Sequence, residues 1–260
     1  MDLGTVTSFR SARTRADLDL ALGEAPLAGG TWLMSTPHPQ VSGLVDLTTL
    51  GWPDLEPLPD GGLRIGATCP IATLATSGRS ALFARGAAAL LMSFKVQQVA
   101  TVGGNVCLGL PAAAMTSVLA GLAATAVVWT PDGAERRVPV AELVVGDHRT
   151  DLAPGEVLRA LEVSPAMLAA PSTLRRIALT EHGRSAAVVV GVATPAGPRV
   201  VVTASTPHPV VLHGERDPRD PRALDDVAWF DDPHGAPDWR AAMTARLVAE
   251  VVADLDRSAA

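Results

Sequence analysis

The 260-residue sequence predicts an α+β fold: two small subdomains that close on one extended ligand, then a C-terminal α+β domain with antiparallel strands. Three observations predict it. Short strand-like runs alternate with Ala- and Leu-rich helical runs through the first half of the chain. Two double-glycine turns, Ala28-Gly29-Gly30-Thr31 and Thr101-Val102-Gly103-Gly104-Asn105, are separated by a domain-sized insert. Beyond Asp151 the texture changes to Val-rich segments joined by Thr194-Pro195-Ala196-Gly197-Pro198, the pattern of an antiparallel pair. A boundary is therefore expected between residues 1–153 (subdomains of about 1–50 and 51–153) and residues 154–260. The length supports a substantial core, and 48% apolar residues against 3% aromatic mean a core of Ala, Val and Leu.

In chain order, residues 14–23 predict a short helix with Leu18, Leu20 and Leu22 as its apolar positions, stopped by Pro26. Leu27-Ala28 ends a short strand that leads into Gly29-Gly30-Thr31-Trp32-Leu33. Residues 44–47 form the next strand, so a strand–helix–strand unit carries the first glycine turn. Residues 52–62 connect to a strand at 63–67 and a helical run at 71–75. Residues 80–94 contain no proline and predict one helix that ends at the second glycine turn. Pro111 suits the first turn of a helix over 112–122. Residues 123–129 and 136–140 bracket Pro131-Asp132-Gly133, a hairpin signal. Further ordered segments are expected at 156–163, 174–179, 186–193 and 199–204. A polar passage at 214–238 and an amphipathic helix at 239–255 close the chain.

The glycine turns are the candidate site. Adjacent glycines reach backbone conformations closed to larger residues and put no Cβ between backbone and ligand. Loop punctuation is the commoner use of a lone double glycine; here there are two, each with polar neighbours. Thr31 and Thr101 add hydroxyls and Asn105 an amide, so the two turns read as jaws on one phosphate-bearing ligand. Asn105 is the only asparagine and Lys95 the only lysine in a composition biased toward Arg, Ala, Val, Gly and Pro. A Rossmann site would need GxGxxG opening a helix, and that pattern is absent.

Composition removes several classes. The net charge is −6 with scattered arginines and no basic block, so nucleic acid is not an expected partner. The longest apolar stretch, residues 118–129, is too short to span a bilayer, and the N-terminus shows no secretory signal. Cys69 and Cys107 are the only cysteines, which excludes an iron–sulfur site built by this chain alone and points to a reduced, cytoplasmic pair. None of the six histidines falls in an HExxH or HxH pattern, so no metal site is expected.

Six segments then occur in a telling order: AGGTWL at 28–33, LVDLTTL at 44–50, LRIGATCPIATLA at 63–75, VATVGGNVCLGLPAAA at 99–114, PGEVLRALEVS at 154–164 and RRIALTEHGRSAAVVVGVA at 175–193. Through them nearly the whole chain resembles the FAD-binding (medium) subunits of molybdenum hydroxylases, of the xanthine dehydrogenase and carbon monoxide dehydrogenase type. The resemblance implies a PCMH-type FAD-binding domain whose glycine turns grip the FAD pyrophosphate, followed by a smaller C-terminal flavoprotein domain. It implies cofactor contacts at Leu27, Ala28, Gly29, Gly30, Thr31, Trp32 and Leu33, and at Thr101, Val102, Gly103, Gly104 and Asn105. It also implies that Leu161 packs its side chain against the isoalloxazine or presents backbone to it, and that Arg176 lies near the ring.

The activity implied is that of an electron-transfer subunit. Electrons would come from a molybdenum-cofactor large subunit through a two-cluster 2Fe–2S small subunit, then pass from FAD to NAD, oxygen or another acceptor. No side-chain nucleophile or general base is expected, and substrate hydroxylation belongs to another chain. Departures from the family pattern accompany these expectations. Ala114 stands where the family places an acid that contacts the nucleotide, and the residues before Pro111 are apolar. Trp32 replaces a small or acidic residue, either to stack on a cofactor ring or to pack in the core. These departures leave a second reading open, a non-redox scaffold that kept the fold without tight FAD binding. An oxidase of the vanillyl-alcohol type is set aside, because the chain has no room for a substrate-binding cap.

Overall fold

Among residues 4–259, which the computed structural model describes, the chain first builds a three-stranded sheet. Its strands are β1 (Ser8–Ser11), β2 (Glu24–Leu27) and β3 (Gly43–Asp46), in the order β1-β3-β2 with both pairings parallel. Arg10 of β1 reaches across β3 to Glu24 of β2, donating two hydrogen bonds of 2.8 and 2.7 Å to its carboxylate. The helix expected over 14–23 shrinks to one 3-10 turn, Arg15–Leu18, closed by a capping box between Thr14 and Asp17. Only Leu18 of the three leucines is buried and Leu22 is fully exposed, so their spacing marks no helical face. Pro26 is tolerated because β2 is an edge strand. Turns, rather than a helix, connect β2 to β3.

β4 (Leu55–Pro57) forms within the expected connection and pairs with β5 (Leu63–Gly66). Five helices follow: α1 (Ile71–Thr76), α2 (Ala81–Ala89), α3 (Phe94–Val99), α4 (Val102–Cys107) and α5 (Ala114–Gly121). The single helix expected over 80–94 is broken. α2 ends at Leu90, Leu91 turns left-handed at φ 53°, and α3 restarts behind the Ser93 N-cap. Helix propensity runs through the segment, but Leu91 and Phe94 point to solvent and give no continuous buried stripe to hold one rod together.

β6 (Thr125–Trp129) and β7 (Glu135–Pro139) make the expected hairpin. α6 (Val140–Leu143), β8 (Val144–Gly146) and β9 (Arg149–Thr150) add a small lobe before β10 (Val157–Val163). β10 inserts between β5 and β6, giving the all-antiparallel order β4-β5-β10-β6-β7. The first segment beyond residue 153 is therefore the middle strand of a sheet otherwise built from earlier residues. Leu63 and Ile65 of β5, Leu161 and Val163 of β10 and the buried residues of α1, α2 and α5 form the main core.

α7 (Pro165–Ala169) leads to β11 (Ser172–Ile177), β12 (Ala187–Thr194), β13 (Gly197–Thr203) and β14 (Val210–Leu212), antiparallel in that order, and α8 (Pro237–Ala259) packs against the sheet. The two-residue period of a strand sends its side chains to two cores. Val188, Val190, Val192 and Val201 join the main core, while Ala187, Val189, Val200 and Val202 pack with Leu247, Val248 and Val251 of α8. Burial on both faces explains why β12 is an unbroken apolar run rather than an alternating one.

Candidate functional site

Both glycine turns open onto one cavity of about 860 Å³, within the span of roughly 300–1,000 Å³ usual for small-molecule sites. Its walls are the first turn, the C-terminal end of α2, the start of α4, the loop between α4 and α5, the tip of the β8–β9 hairpin and the loop around Arg184.

β2 delivers the first turn to this wall. The N–H groups of Ala28, Gly29, Gly30, Thr31, Trp32 and Leu33 donate to no acceptor within the described residues. Some carbonyls at this turn are used: Leu27 O accepts from Leu47 N–H at 2.8 Å, Gly30 O from Met34 N–H at 2.9 Å and Trp32 O from Ser35 N–H at 2.8 Å. None of these residues is buried, so the unspent N–H groups are open to the cavity and can serve as donors to an anion. Gly29 has to be glycine: a Cβ there would lie 1.9 Å from Val99 O and 2.8 Å from the carbonyl carbon. The first turn thus rests directly on the backbone that leads into the second.

The second turn is not a loop. It is the opening of α4, with Thr101 as N-cap, its Oγ accepting from Gly104 N–H at 3.1 Å. Val102 N–H donates to Cys69 O and Gly103 N–H to Ala67 O, both at 2.9 Å, and Asn105 N–H donates to Thr101 O at 3.0 Å. The N–H groups of Val102, Gly103 and Gly104, expected to face the ligand, are therefore used within the protein, as is that of Asn105. The bare Cα of Gly103 serves packing, since a Cβ would lie 2.6 Å from both Cβ and O of Ala67. Val102 and Gly103 are buried away from the cavity, while Thr101, Gly104 and Asn105 line it. Asn105 Oδ1 accepts from Met115 N–H at 3.1 Å and caps α5, whose own N-cap residue, Ala113, has no side-chain acceptor. Its Nδ2 has no protein partner among the described residues. An amide can thus cap α5 through Oδ1 and still offer Nδ2 to the cavity.

The side chains of two expected contact residues turn away from the cavity. Leu161 is fully buried on β10, opposite Ile65 and Ala126, and its side chain belongs to the main core rather than to the cavity wall. Arg176 is turned inward, its Nε donating to Ser185 Oγ at 3.0 Å and a terminal nitrogen donating to Gly183 O at 2.8 Å. Burial pulls its pKa below the usual arginine range. Arg176 braces the loop whose His182, Arg184 and Ser185 reach the cavity. Trp32 is no core residue: it is 38% exposed at the wall, its ring centroid 5.8 Å from that of His148. Ala114 is buried at the start of α5, and Leu108, Leu110, Ala112 and Ala113 make the adjoining wall apolar.

Charge is distributed selectively. In a chain of net charge −6, no Asp or Glu among the described residues lines the cavity. Among the described residues Arg184 is the one permanently charged side chain that lines it, beside His38, His148 and His182. Sequence reasoning missed Arg184 and His148. Arg184 lies inside the quoted 175–193 segment, but nothing in the spacing tells which arginine turns toward the cavity. His148 sits on a hairpin tip with φ 53°, a detail without a local signature.

These residues fit FAD, the cofactor implied by the resemblance. Unspent N–H groups suit a diphosphate, a carboxylate-free wall with a free guanidinium suits its charge, and the apolar wall suits flat rings. Residues 20–166 match the family model described as the FAD binding domain in molybdopterin dehydrogenase. A search of curated proteins found no match. Among solved structures, a chain of quinoline 2-oxidoreductase from Pseudomonas putida 86 superposes with a TM-score of 0.82 at 19% identity, covering 97% of each chain. A chain of carbon monoxide dehydrogenase from Hydrogenophaga pseudoflava, in a form lacking the Mo-pyranopterin moiety, gives 0.83 at 18% identity over 96% of this chain and 97% of that one. Reconstituted CO dehydrogenase from Oligotropha carboxidovorans gives 0.83 at 21% identity over 98% and 99%. At these identities the superpositions establish a shared α+β fold.

Proposed function

This chain belongs to the family of FAD-binding domains in molybdopterin dehydrogenases, and on that premise we propose that it is the electron-transfer flavoprotein subunit of a molybdenum hydroxylase. The diphosphate of FAD would lie against the N–H groups of Ala28–Leu33, with the Thr101 hydroxyl and Asn105 Nδ2 as donors from the other wall. Bound there, FAD supplies reversible redox chemistry that no side chain of this protein offers. The protein's part is to hold and orient it: Gly29 lets the two walls touch, and the apolar residues from Leu108 to Ala113 keep water from one side of the cavity.

Electrons would arrive from a 2Fe–2S small subunit fed by a molybdenum-cofactor large subunit, and leave to NAD, oxygen or another acceptor. Two cysteines in the whole chain leave cluster ligation to such a partner. Both are free thiols, which favours the cytoplasm. Among the described residues no helix is long and apolar enough to cross a membrane. We place β10 with the FAD-binding unit, because ending that unit at residue 153 would take the middle strand out of its sheet.

The observation that carries this reading is the row of unspent donors from Ala28 to Leu33 facing a cavity without carboxylates. The test is to purify the full chain with added FAD, and with candidate large and small subunits co-expressed. A yellow chain with stoichiometric flavin that co-elutes with both partners is expected. A chain that stays colourless in excess FAD refutes the flavoprotein reading and leaves the scaffold. A yellow chain that always elutes alone refutes the subunit assignment.

A further inference from the structure

A diphosphate gripped from both sides needs donors on both walls, yet the second turn has used its N–H groups from Val102 to Asn105 on Cys69, Ala67 and Thr101. That wall keeps only neutral side-chain donors, the Thr101 hydroxyl and Asn105 Nδ2, so positive charge has to come from elsewhere in the cavity. Resting on the FAD reading above, we propose that Arg184 supplies the cationic grip on the cofactor's diphosphate, in place of the second turn's backbone and of Arg176.

Arg184 is half-buried, lines the cavity and makes no hydrogen bond or ion pair within the described residues. No carboxylate of the described residues lines the cavity wall to compete for it. The loop that presents it is fixed on either side. Arg176 holds Gly183 O at 2.8 Å and Ser185 Oγ at 3.0 Å, Gly183 N–H donates to Thr180 O at 3.0 Å, and Ala186 N–H donates to Ile177 O at 2.8 Å. The base of the side chain is thus held while the guanidinium remains free. A planar guanidinium matches the fork of phosphate oxygens, which a neutral donor cannot do with charge. Arg176 is then a positioning residue: it acts through the loop and not on the ligand.

The test measures FAD dissociation by fluorescence quenching for the full chain and for Arg184→Ala, Arg184→Lys and Arg176→Lys. It is run at low and high salt, with ADP as a flavin-free competitor. Arg184→Ala should weaken FAD and ADP alike by about 10- to 100-fold, the size of a charge-assisted contact. It should also flatten the salt dependence and leave thermal unfolding unchanged. Arg184→Lys should recover part of the loss, since an ammonium keeps the charge without the fork. Arg176→Lys should weaken FAD less, because it cannot brace both sides of the loop. Binding by Arg184→Ala within about twofold of the parent chain, far below a charged contact, would overturn the assignment. So would a loss for FAD with none for ADP, which would put Arg184 at the flavin end. A parent chain that takes up no FAD overturns the cofactor reading and this one with it; a parent chain that binds while Arg184→Ala is indifferent overturns this one alone.

Discussion

The two double-glycine turns look alike in sequence and use their backbones in opposite ways. From Ala28 to Leu33 the N–H groups are unspent and Gly29 touches the neighbouring backbone so that the cavity can close. From Val102 to Asn105 the N–H groups are used, and Gly103 is bare because Ala67 presses on it. A double glycine therefore reports that something comes close to the backbone. Whether that is a ligand or the protein's own chain depends on where the N–H groups go.

The sharpest way to break this comparison is to add one methyl group to each turn. Gly29→Ala would drive a Cβ onto Val99 O, and Gly103→Ala would drive one onto Ala67. Each is an overpacking event of about 1–3 kcal/mol. In Gly29→Ala the cost should appear mainly as FAD affinity lowered by about 100-fold, read by fluorescence titration. In Gly103→Ala it should appear as a melting temperature lower by roughly 2–10 °C. If the two variants lose binding and stability in the same ratio, the turns do not differ as described.

A smaller effect separates the two uses of Asn105. Asn105→Ala removes the α5 cap and should cost about 1 kcal/mol of stability. Asn105→Asp keeps an acceptor for Met115 N–H at a helix N-terminus that favours negative charge. It should therefore unfold like the parent chain, yet bind FAD about tenfold more weakly, because it removes a donor of a charge-assisted contact and adds a carboxylate to the cavity wall. Calorimetry and flavin titration on the same samples check both halves. Equal stability for the two variants would remove the capping role.

The smallest effect concerns the sheet beneath the first turn. The Glu24 carboxyl is held down to about 2 from its ordinary 4.5, first by its hydrogen bonds from Arg10 and then by Ala21 N–H. A carboxyl whose folded-state pKa is depressed adds stability that is present above its unfolded pKa and is lost as pH falls through the folded one. The Arg10–Glu24 tie should thus hold at neutral pH and fade between pH 4.5 and about 2. Unfolding curves at stepped pH should show the parent chain converging on Glu24→Gln across that window. A constant gap between the two would mean that the pair does not hold β1 to β2.

The sequence by itself determined what is local or periodic. The β6–β7 hairpin follows from Pro131-Asp132-Gly133, and α1, α5 and α8 follow from composition and apolar spacing. The Val-rich runs of β12 and β13 mark a strand pair, and the ordered segments identify the family. Even the meeting of the two glycine turns was legible, because glycine next to glycine demands a close neighbour. Tertiary structure decided the fate of the Val102 and Gly103 donors, since Cys69 and Ala67 lie more than thirty residues before them, while Thr101 satisfies Gly104 and Asn105 locally. It also turned Leu161 into the core, put β10 in the centre of an earlier sheet, and chose Arg184 over Arg176 for the cavity. For Leu161 and β10 the physical reason is apolar burial and strand pairing between distant segments; for the donors of Val102 and Gly103 it is hydrogen bonding. A hydrogen-bonding group is committed by whichever partner the fold brings within about 3 Å, and no local pattern records a partner that arrives from a distant part of the chain.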